Sequence, residues 1–270
     1  MLVFYLIQAI LLKKAVSPLL QISTRATAIC SEDGISLKIS PPSVSGMVMV
    51  LLQINSSNFH RFRCNSNCIE SLDLSFLNSL LSTTNDLESL IVSANYSHDT
   101  TLIYFNFFNN THHNAQFESD QTRLLLYYEP RTPGNPYNYL GIHESEYEYQ
   151  VILGIPSKEF RQILRYTREF ATLIVDVIVT NAEVLTFRSG SEDLILTKEA
   201  GCIVWGVDSS NQVSFRMTLF NINSFIEASE NSAFVWMFQS PDFPGMLNCP
   251  VGHLGNIKYY FDKRYDLGIH

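Results

Sequence analysis

Most of the chain alternates between apolar and polar positions, or is continuously apolar for four to eight residues, and both patterns are typical of β-strands. The clearest predicted strands cover residues 48–54, 101–105, 123–128, 149–153, 173–179, 193–197, 202–205, 213–217, 234–238 and 257–261. A dozen or more strands predict extensive antiparallel sheet.

Apolar residues recur at helical spacing in only four places, two in each half of the chain. The first predicted helix covers about residues 6–17, and we expect Pro18 to end it because a proline ring opposes helical geometry in the preceding residue. The second covers about 74–81. The third begins at Pro156 and Ser157, a candidate N-cap, and continues to about residue 170. The fourth covers about 222–228.

The order of these elements predicts four copies of one β-α-β-β-β unit, two in each half. Pro130, Pro133 and Pro136 separate the halves, and their fixed φ angles and missing amide donors interrupt both helices and central strands. We therefore predict two similar domains, 1–128 and 144–270, joined by a proline-rich connector, 129–143. The expected fold class is α+β, with helices gathered on one side of antiparallel sheets.

Composition indicates an ordinary globular chain. Its 270 residues can form two cores without disulfides or metals, and 46% hydrophobic with 16% charged residues argues against disorder. No apolar stretch approaches the 18 residues of a membrane span. The apolar N-terminus lacks a preceding basic residue, so we do not expect a secretory signal. An odd cysteine count, five, favours reduced thiols over a disulfide framework or a standard zinc site.

The candidate catalytic groups have simpler explanations. His112 and His113, near His98 and Asp99, lie in a polar stretch that favours a solvated loop over a metal site. Glu144, Glu146 and Glu148 alternate as an exposed strand face would. Neither a Gly-x-Ser-x-Gly elbow nor a Walker-type loop is present. We predict no catalytic residue, no metal and no cofactor.

Basic residues are concentrated on the predicted helices, although the net charge is −8. The third helix carries Lys158 and then Arg161, Arg165 and Arg168, whose spacing of i, i+4 and i+7 predicts one helical face. A solvated face is the simpler explanation of such a group. Lys13 and Lys14 on the first helix, at the equivalent place in the repeat, favour a shared anionic partner.

Several stretches resemble, in family order, the DNA sliding clamps of the proliferating cell nuclear antigen type. They are Leu6-Ile-Gln8 with Leu11-Leu-Lys-Lys14, Asp33-Gly-Ile-Ser-Leu37, Phe62-Arg-Cys-Asn65, Leu140-Gly-Ile142 with Glu146-Tyr147, Pro156-Ser-Lys-Glu-Phe160 and Leu254-Gly-Asn-Ile-Lys-Tyr-Tyr260. Together they extend over nearly the whole chain.

This resemblance implies a ring of three identical subunits that encloses double-stranded DNA without reading its sequence. It also implies a nuclear protein without enzymatic activity, which tethers DNA polymerase and other replication and repair proteins and is opened by an ATP-dependent clamp loader. A subunit of a heterotrimeric checkpoint clamp is a close alternative, and a secreted β-rich binding protein is a more distant one.

Candidate site residues follow from the resemblance. Lys13, Lys14 and Arg165 match basic positions on the DNA-facing helices of the family, and helical spacing adds Arg161 and Arg168. The client-binding groove would involve Val44, Met47, Leu140, Ile142, Pro244 and Tyr260.

This chain also departs from the family pattern. Pro41-Pro42-Ser43-Val44 replaces a stretch with a groove-lining histidine, and Ser79, Ser82 and Glu227 replace lysines on the second and fourth helices. Asp262 and Lys263 would stand at the edge of the groove. These changes put ordinary client binding and tight DNA contact in question.

Overall fold

The computed structural model describes residues 1–42, 46–65, 67–96, 101–109, 121–127, 149–169, 174–180, 183–207, 212–240 and 244–261. Within these ranges it contains eighteen strands and four α-helices, which confirms the predicted α+β class. The chain divides into two compact units, one formed by Met1–Ile39, Leu51–Ile142 and Val251–Asn256, the other by Ser40–Val50, His143–Pro250 and Ile257–His270.

The first half of the chain contains two helices and nine strands. In chain order they are β1 (Leu2–Leu6), α1 (Ile10–Leu20), β2 (Arg25–Ser31), β3 (Gly34–Ile39), β4 (Met47–Asn55), β5 (Arg61–Cys64), β6 (Cys68–Asp73), α2 (Leu74–Leu81), β7 (Glu88–Tyr96), β8 (Thr101–Asn109) and β9 (Gln121–Tyr127). One antiparallel sheet has the order β5-β1-β7-β8-β9, and β2 pairs with β3 and β6 in another.

The second half repeats this pattern. Its elements are β10 (Val151–Pro156), α3 (Ser157–Glu169), β11 (Ile174–Thr180), β12 (Val184–Ser189), β13 (Glu192–Thr197), β14 (Ile203–Trp205), β15 (Gln212–Thr218), α4 (Ile222–Glu230), β16 (Phe234–Gln239), β17 (Met246–Val251) and β18 (Gly255–Phe261). One sheet has the order β13-β12-β11-β15, and β10 lies between β14 and β16.

Strand pairing shows that the halves are equivalent. β1 lies between β5 and β7 as β10 lies between β14 and β16, and β2 lies between β3 and β6 as β11 lies between β12 and β15. Each half also packs its two helices together, α1 with α2 and α3 with α4. The predicted fourfold β-α-β-β-β order is confirmed, with β5 and β14 as additional short strands.

Three of the four predicted helices agree closely with the structure, whereas the first was placed wrongly. Residues 2–6 form β1, so α1 begins at Ile10, and it continues through Pro18 to Leu20. Pro18 removes one amide donor, but it stands in the last turn, where only two helical residues follow. It is itself buried, as is Leu19, and this packing offsets the lost hydrogen bond.

The apolar N-terminal stretch belongs to the core of the first unit. Every second residue of β1 is buried in the core, namely Leu2, Phe4 and Leu6. The ring centroid of Phe4 lies 4.9 Å from that of Phe59. α1 buries Leu12 and further residues along one stripe. The hydrophobic run at the start of the chain is therefore accounted for by folding. None of the helices in the described ranges is long and apolar enough to cross a membrane.

The second unit has an aromatic core beneath α4. The Tyr259 hydroxyl lies 2.9 Å from the Ser224 hydroxyl, and both residues are fully buried. Phe225 meets the Tyr259 ring edge-on at 4.8 Å. Burial raises the pKa of Tyr259 well above its ordinary value, so the phenol stays protonated and available for this hydrogen bond. The pairing fixes α4 against β18.

Several predictions concern segments outside the described residues. These segments contain His98, Asp99, His112, His113 and the three alternating glutamates, together with the whole connector. The boundaries proposed at residues 128 and 144 therefore stay a prediction.

Candidate nucleic-acid interface

α3 is strongly amphipathic, with an apolar face in the core and several basic residues on the other side. It buries Phe160, Ile163 and Leu164, which recur at core-facing spacing. On the opposite side Lys158, Gln162, Arg165 and Arg168 are exposed. Glu159 in the first turn and Arg168 in the last complement the helix dipole, so part of this charge has a structural explanation.

Arg161 differs from the other arginines of α3 because its guanidinium is partly buried. One of its terminal nitrogens donates to the backbone carbonyl of Ser229 at 3.0 Å. Ser229 belongs to the last turn of α4, whose carbonyls have no partner within that helix. Arg161 therefore caps the C-terminus of α4, where a cation is electrostatically favoured.

Lys13 has the same role in the first unit. Its Nζ donates to the carbonyl of Ser82 at 2.7 Å, and Ser82 is the C-cap residue of α2. The first helix of each pair thus supplies a cation to the C-terminal end of the second helix. Two of the five predicted DNA-contacting residues, Lys13 and Arg161, are held by these intramolecular hydrogen bonds.

The second helix of each pair contributes little positive charge. α2 contains no basic residue, and Asp73 caps its N-terminus by accepting from the Phe76 amide at 2.9 Å. α4 carries Glu227 and Glu230 and no basic residue. Among the four described α-helices, the exposed cations therefore lie on α1, at Lys14, and on α3.

The residues predicted to bind client proteins are placed less favourably. Val44, Leu140 and Ile142 lie outside the described residues. Met47 is 3% exposed and Tyr260 is fully buried, so neither side chain is open to a peptide in this structure. Pro244 is partly exposed.

A small cavity lies beside Gly245, the residue that follows Pro244. It is lined by Gly245, Met246, Phe261 and neighbouring residues of the second unit and measures about 20 Å³, space for about one water molecule. An aromatic anchor would need this region to rearrange before it could enter.

Lys158 is an exposed cation that the predicted DNA-binding set omitted. It belongs to the same basic run of α3, but its distance of three residues from Arg161 places it at the edge of the arginine face. Its exposure beside Gln162 and Arg165 brings it into the candidate interface. The candidate interface residues are thus Lys14 on α1 in the first unit and, separately, Lys158, Arg165 and Arg168 on α3 in the second unit.

Comparison with known protein families agrees with the fold. Residues 1–124 match the family model described as the N-terminal domain of proliferating cell nuclear antigen. That match covers β1 to β8, both helices of the first half and the first four residues of β9, which is the region whose element order the second half repeats. Residues 1–124 therefore form an N-terminal domain of the proliferating cell nuclear antigen (PCNA) type, the family of DNA sliding clamps.

Proposed function

We propose that three copies of this chain close a ring around duplex DNA and hold DNA polymerase and other replication or repair proteins on the template. The clamp family acts as a non-enzymatic scaffold in DNA replication and repair. A protein bound to a ring that is topologically linked to DNA keeps a high effective concentration at its substrate. The observation that carries the proposal is the family match over residues 1–124.

The duplicated architecture supports the same proposal. Both units pair a helix that carries exposed cations with a helix that carries none, in equivalent positions of the strand order. Three two-unit chains would supply six such pairs around one duplex. Exposed Lys14, Arg165 and Arg168 would contact phosphates without reading bases.

Modest charge is compatible with this mode of action. The chain is acidic overall, with a net charge of −8, and Lys13 and Arg161 are engaged as helix caps. A protein that relied on affinity alone would need more cations, because each neutralised phosphate contributes to binding by counterion release. A closed ring is retained by topology, and weak contacts then allow it to slide.

Pairing between edge strands of two different chains would close the ring. β9 is an edge strand of the five-stranded sheet in the first unit, and β13 is an edge strand of the four-stranded sheet in the second. β13 exposes Ile195, of which 59% is accessible, and edge strands readily pair with strands of another chain. Because the two edges differ, pairing would be head-to-tail and could generate a cyclic trimer.

Client proteins would bind through the connector, 129–143, and adjacent surface. We propose Leu140 and Ile142 as apolar anchors and Val44 and Pro244 as further residues that contact the client, whereas Met47 and Tyr260 are buried. We further propose the domain boundaries 1–128 and 144–270, a nuclear location for the protein and opening of the ring by an ATP-dependent loader.

The native mass of the purified chain tests the assembly. Light scattering at low micromolar concentration should give about three times the 30.7 kDa chain mass, or about 92 kDa. A stable species near 30.7 kDa would contradict a self-sufficient ring. That result would favour the heterotrimeric alternative, which mixing with unlike clamp subunits would then test.

A further inference from the structure

Two cysteines of the first unit face each other across neighbouring antiparallel strands. Cys30 on β2 is the direct cross-strand partner of Cys68 on β6. Directly opposed residues have Cα atoms roughly 4.5–5.5 Å apart and side chains on the same face of the sheet. Disulfides form over Cα separations of about 4.4–6.8 Å, so the backbone is already placed for a bond.

The two thiols are in contact. The pKa of the Cys30 thiol is raised well above its ordinary value, first by a hydrogen bond to Cys68 and second by burial. Electrostatic interactions with Cys64 and Glu70 raise this pKa further. Cys30 is only 5% exposed, whereas Cys68 is partly exposed. An oxidant therefore has better access to Cys68, and Cys30 is the adjacent thiol that can react next.

Space exists on both sides of Cys30. It borders an apolar cavity of about 90 Å³ with Leu77 and Phe105, which leaves room for a change of rotamer. It also borders a more polar cavity of about 250 Å³ with Asp33, Asn55 and Asn67.

A metal site does not explain this cluster. The described residues contain no group of three or more histidine, cysteine, aspartate or glutamate side chains arranged to hold a metal ion. All five cysteines carry free thiols in the structure. The contact between Cys30 and Cys68 is thus a two-thiol arrangement.

We propose that Cys68 and Cys30 form a peroxide-sensitive thiol pair that closes to an intramolecular disulfide. In the first step the Cys68 sulfur attacks the peroxide and the O–O bond breaks; one oxygen stays on the sulfur as a sulfenic acid, and the other leaves with the Cys68 thiol proton as water or an alcohol. In the second step the Cys30 sulfur displaces the hydroxyl group of that sulfenic acid and the S–S bond forms. The displaced hydroxyl group leaves with the Cys30 thiol proton as water. The two thiols are oxidised together by two electrons, and the peroxide is reduced.

The disulfide would join β2 to the strand that leads into α2. β6 ends at Asp73, the residue that caps the N-terminus of α2. The bond would close a loop of about 40 residues and restrict the unfolded chain. We therefore expect oxidation to raise the unfolding temperature of the full chain, and dithiothreitol to restore the original value.

Peptide mapping tests the pairing directly. The full-length chain is treated with hydrogen peroxide, alkylated and digested with trypsin without reduction. Cleavage after Arg25 and Lys38 gives a peptide in which Cys30 is the single cysteine. Cys64 and Cys68 share one peptide, because the chain has no lysine or arginine between Arg63 and Arg123. A Cys64→Ser variant removes that ambiguity.

The expected product is a Cys30–Cys68 cross-link, with a mass loss of about two units, in the unmodified chain and in Cys64→Ser. Cys202→Ser, in the other unit, is the matched control and should form the same cross-link. Cys68→Ser should abolish it. The mapping of Cys64→Ser does not depend on Cys68→Ser, so a folding defect in Cys68→Ser would leave the test intact. A Cys64–Cys68 bond, links between chains, or oxidation of Cys68 that stops at the sulfinic acid would overturn the proposal.

Discussion

Replacing Arg165 and Arg168 together by alanine is expected to weaken DNA binding and to flatten its dependence on salt. The slope of log K against log salt changes by about 0.9 for each phosphate contact that is lost. It should fall by about 2 if DNA touches one subunit and by about 5 if it touches all three. Fluorescence anisotropy with a short duplex over a series of salt concentrations measures both affinity and slope.

Two further variants make this prediction specific. Arg61→Ala with Lys198→Ala removes two exposed cations from β5 and from the short 3-10 turn at Lys198–Ala200, and should leave the slope nearly unchanged. Arg161→Ala removes the cap of α4 and should lower the free energy of unfolding by about 1–2 kcal/mol, because the Ser229 carbonyl loses a charge-assisted hydrogen bond. Replacing the exposed Arg165 and Arg168 by alanine should change the free energy of unfolding by less than about 0.5 kcal/mol. Equal slopes for the arginine pair and its control would show that α3 does not face DNA.

Replacing Ile195 by lysine is expected to break the proposed ring into single chains. Ile195 is exposed on the edge strand β13, while the next residue, Leu196, is buried in the core. A lysine at an edge position opposes pairing with another strand, because pairing would require its charge to be desolvated. Light scattering should report a fall from about 92 kDa to the 30.7 kDa of one chain.

Ile174→Lys is the matched control for this change. Ile174 is 44% exposed in the same sheet, but β11 is paired on both sides, with β12 and β15. The control should remain trimeric with the same circular dichroism spectrum. An Ile195→Lys protein that stays trimeric would place the subunit interface away from the β13 edge.

Periodicity predicted most of the fold. α2 was predicted at its observed bounds because its leucines recur at helical spacing, and the structure adds Asp73 as the cap of its N-terminus. The start of α1 was wrong because Leu6 suits both a helix and a strand, and only its pairing with Leu90 on β7 decides between them. The passage of α1 through Pro18 depends on burial, which local sequence does not reveal.

The candidate site was less predictable for a related reason. The spacing of Arg161, Arg165 and Arg168 predicted one face of α3, but it carries no information about the helix alongside. That neighbour, α4, takes up Arg161 through the Ser229 carbonyl, as α2 takes up Lys13 through Ser82. The burial of Met47 and Tyr260 likewise depends on strands that are distant in sequence.

Retention on end-blocked DNA tests the proposed function most directly. A linear duplex is attached to a bead at one end, the protein threads over the free end, and a bulky streptavidin–biotin block then closes that end. The beads are washed at about 0.5 M salt, where charges are screened within roughly 4 Å. A ring should stay on the blocked DNA and leave when the end is open, whereas equal release from both would contradict enclosure of DNA.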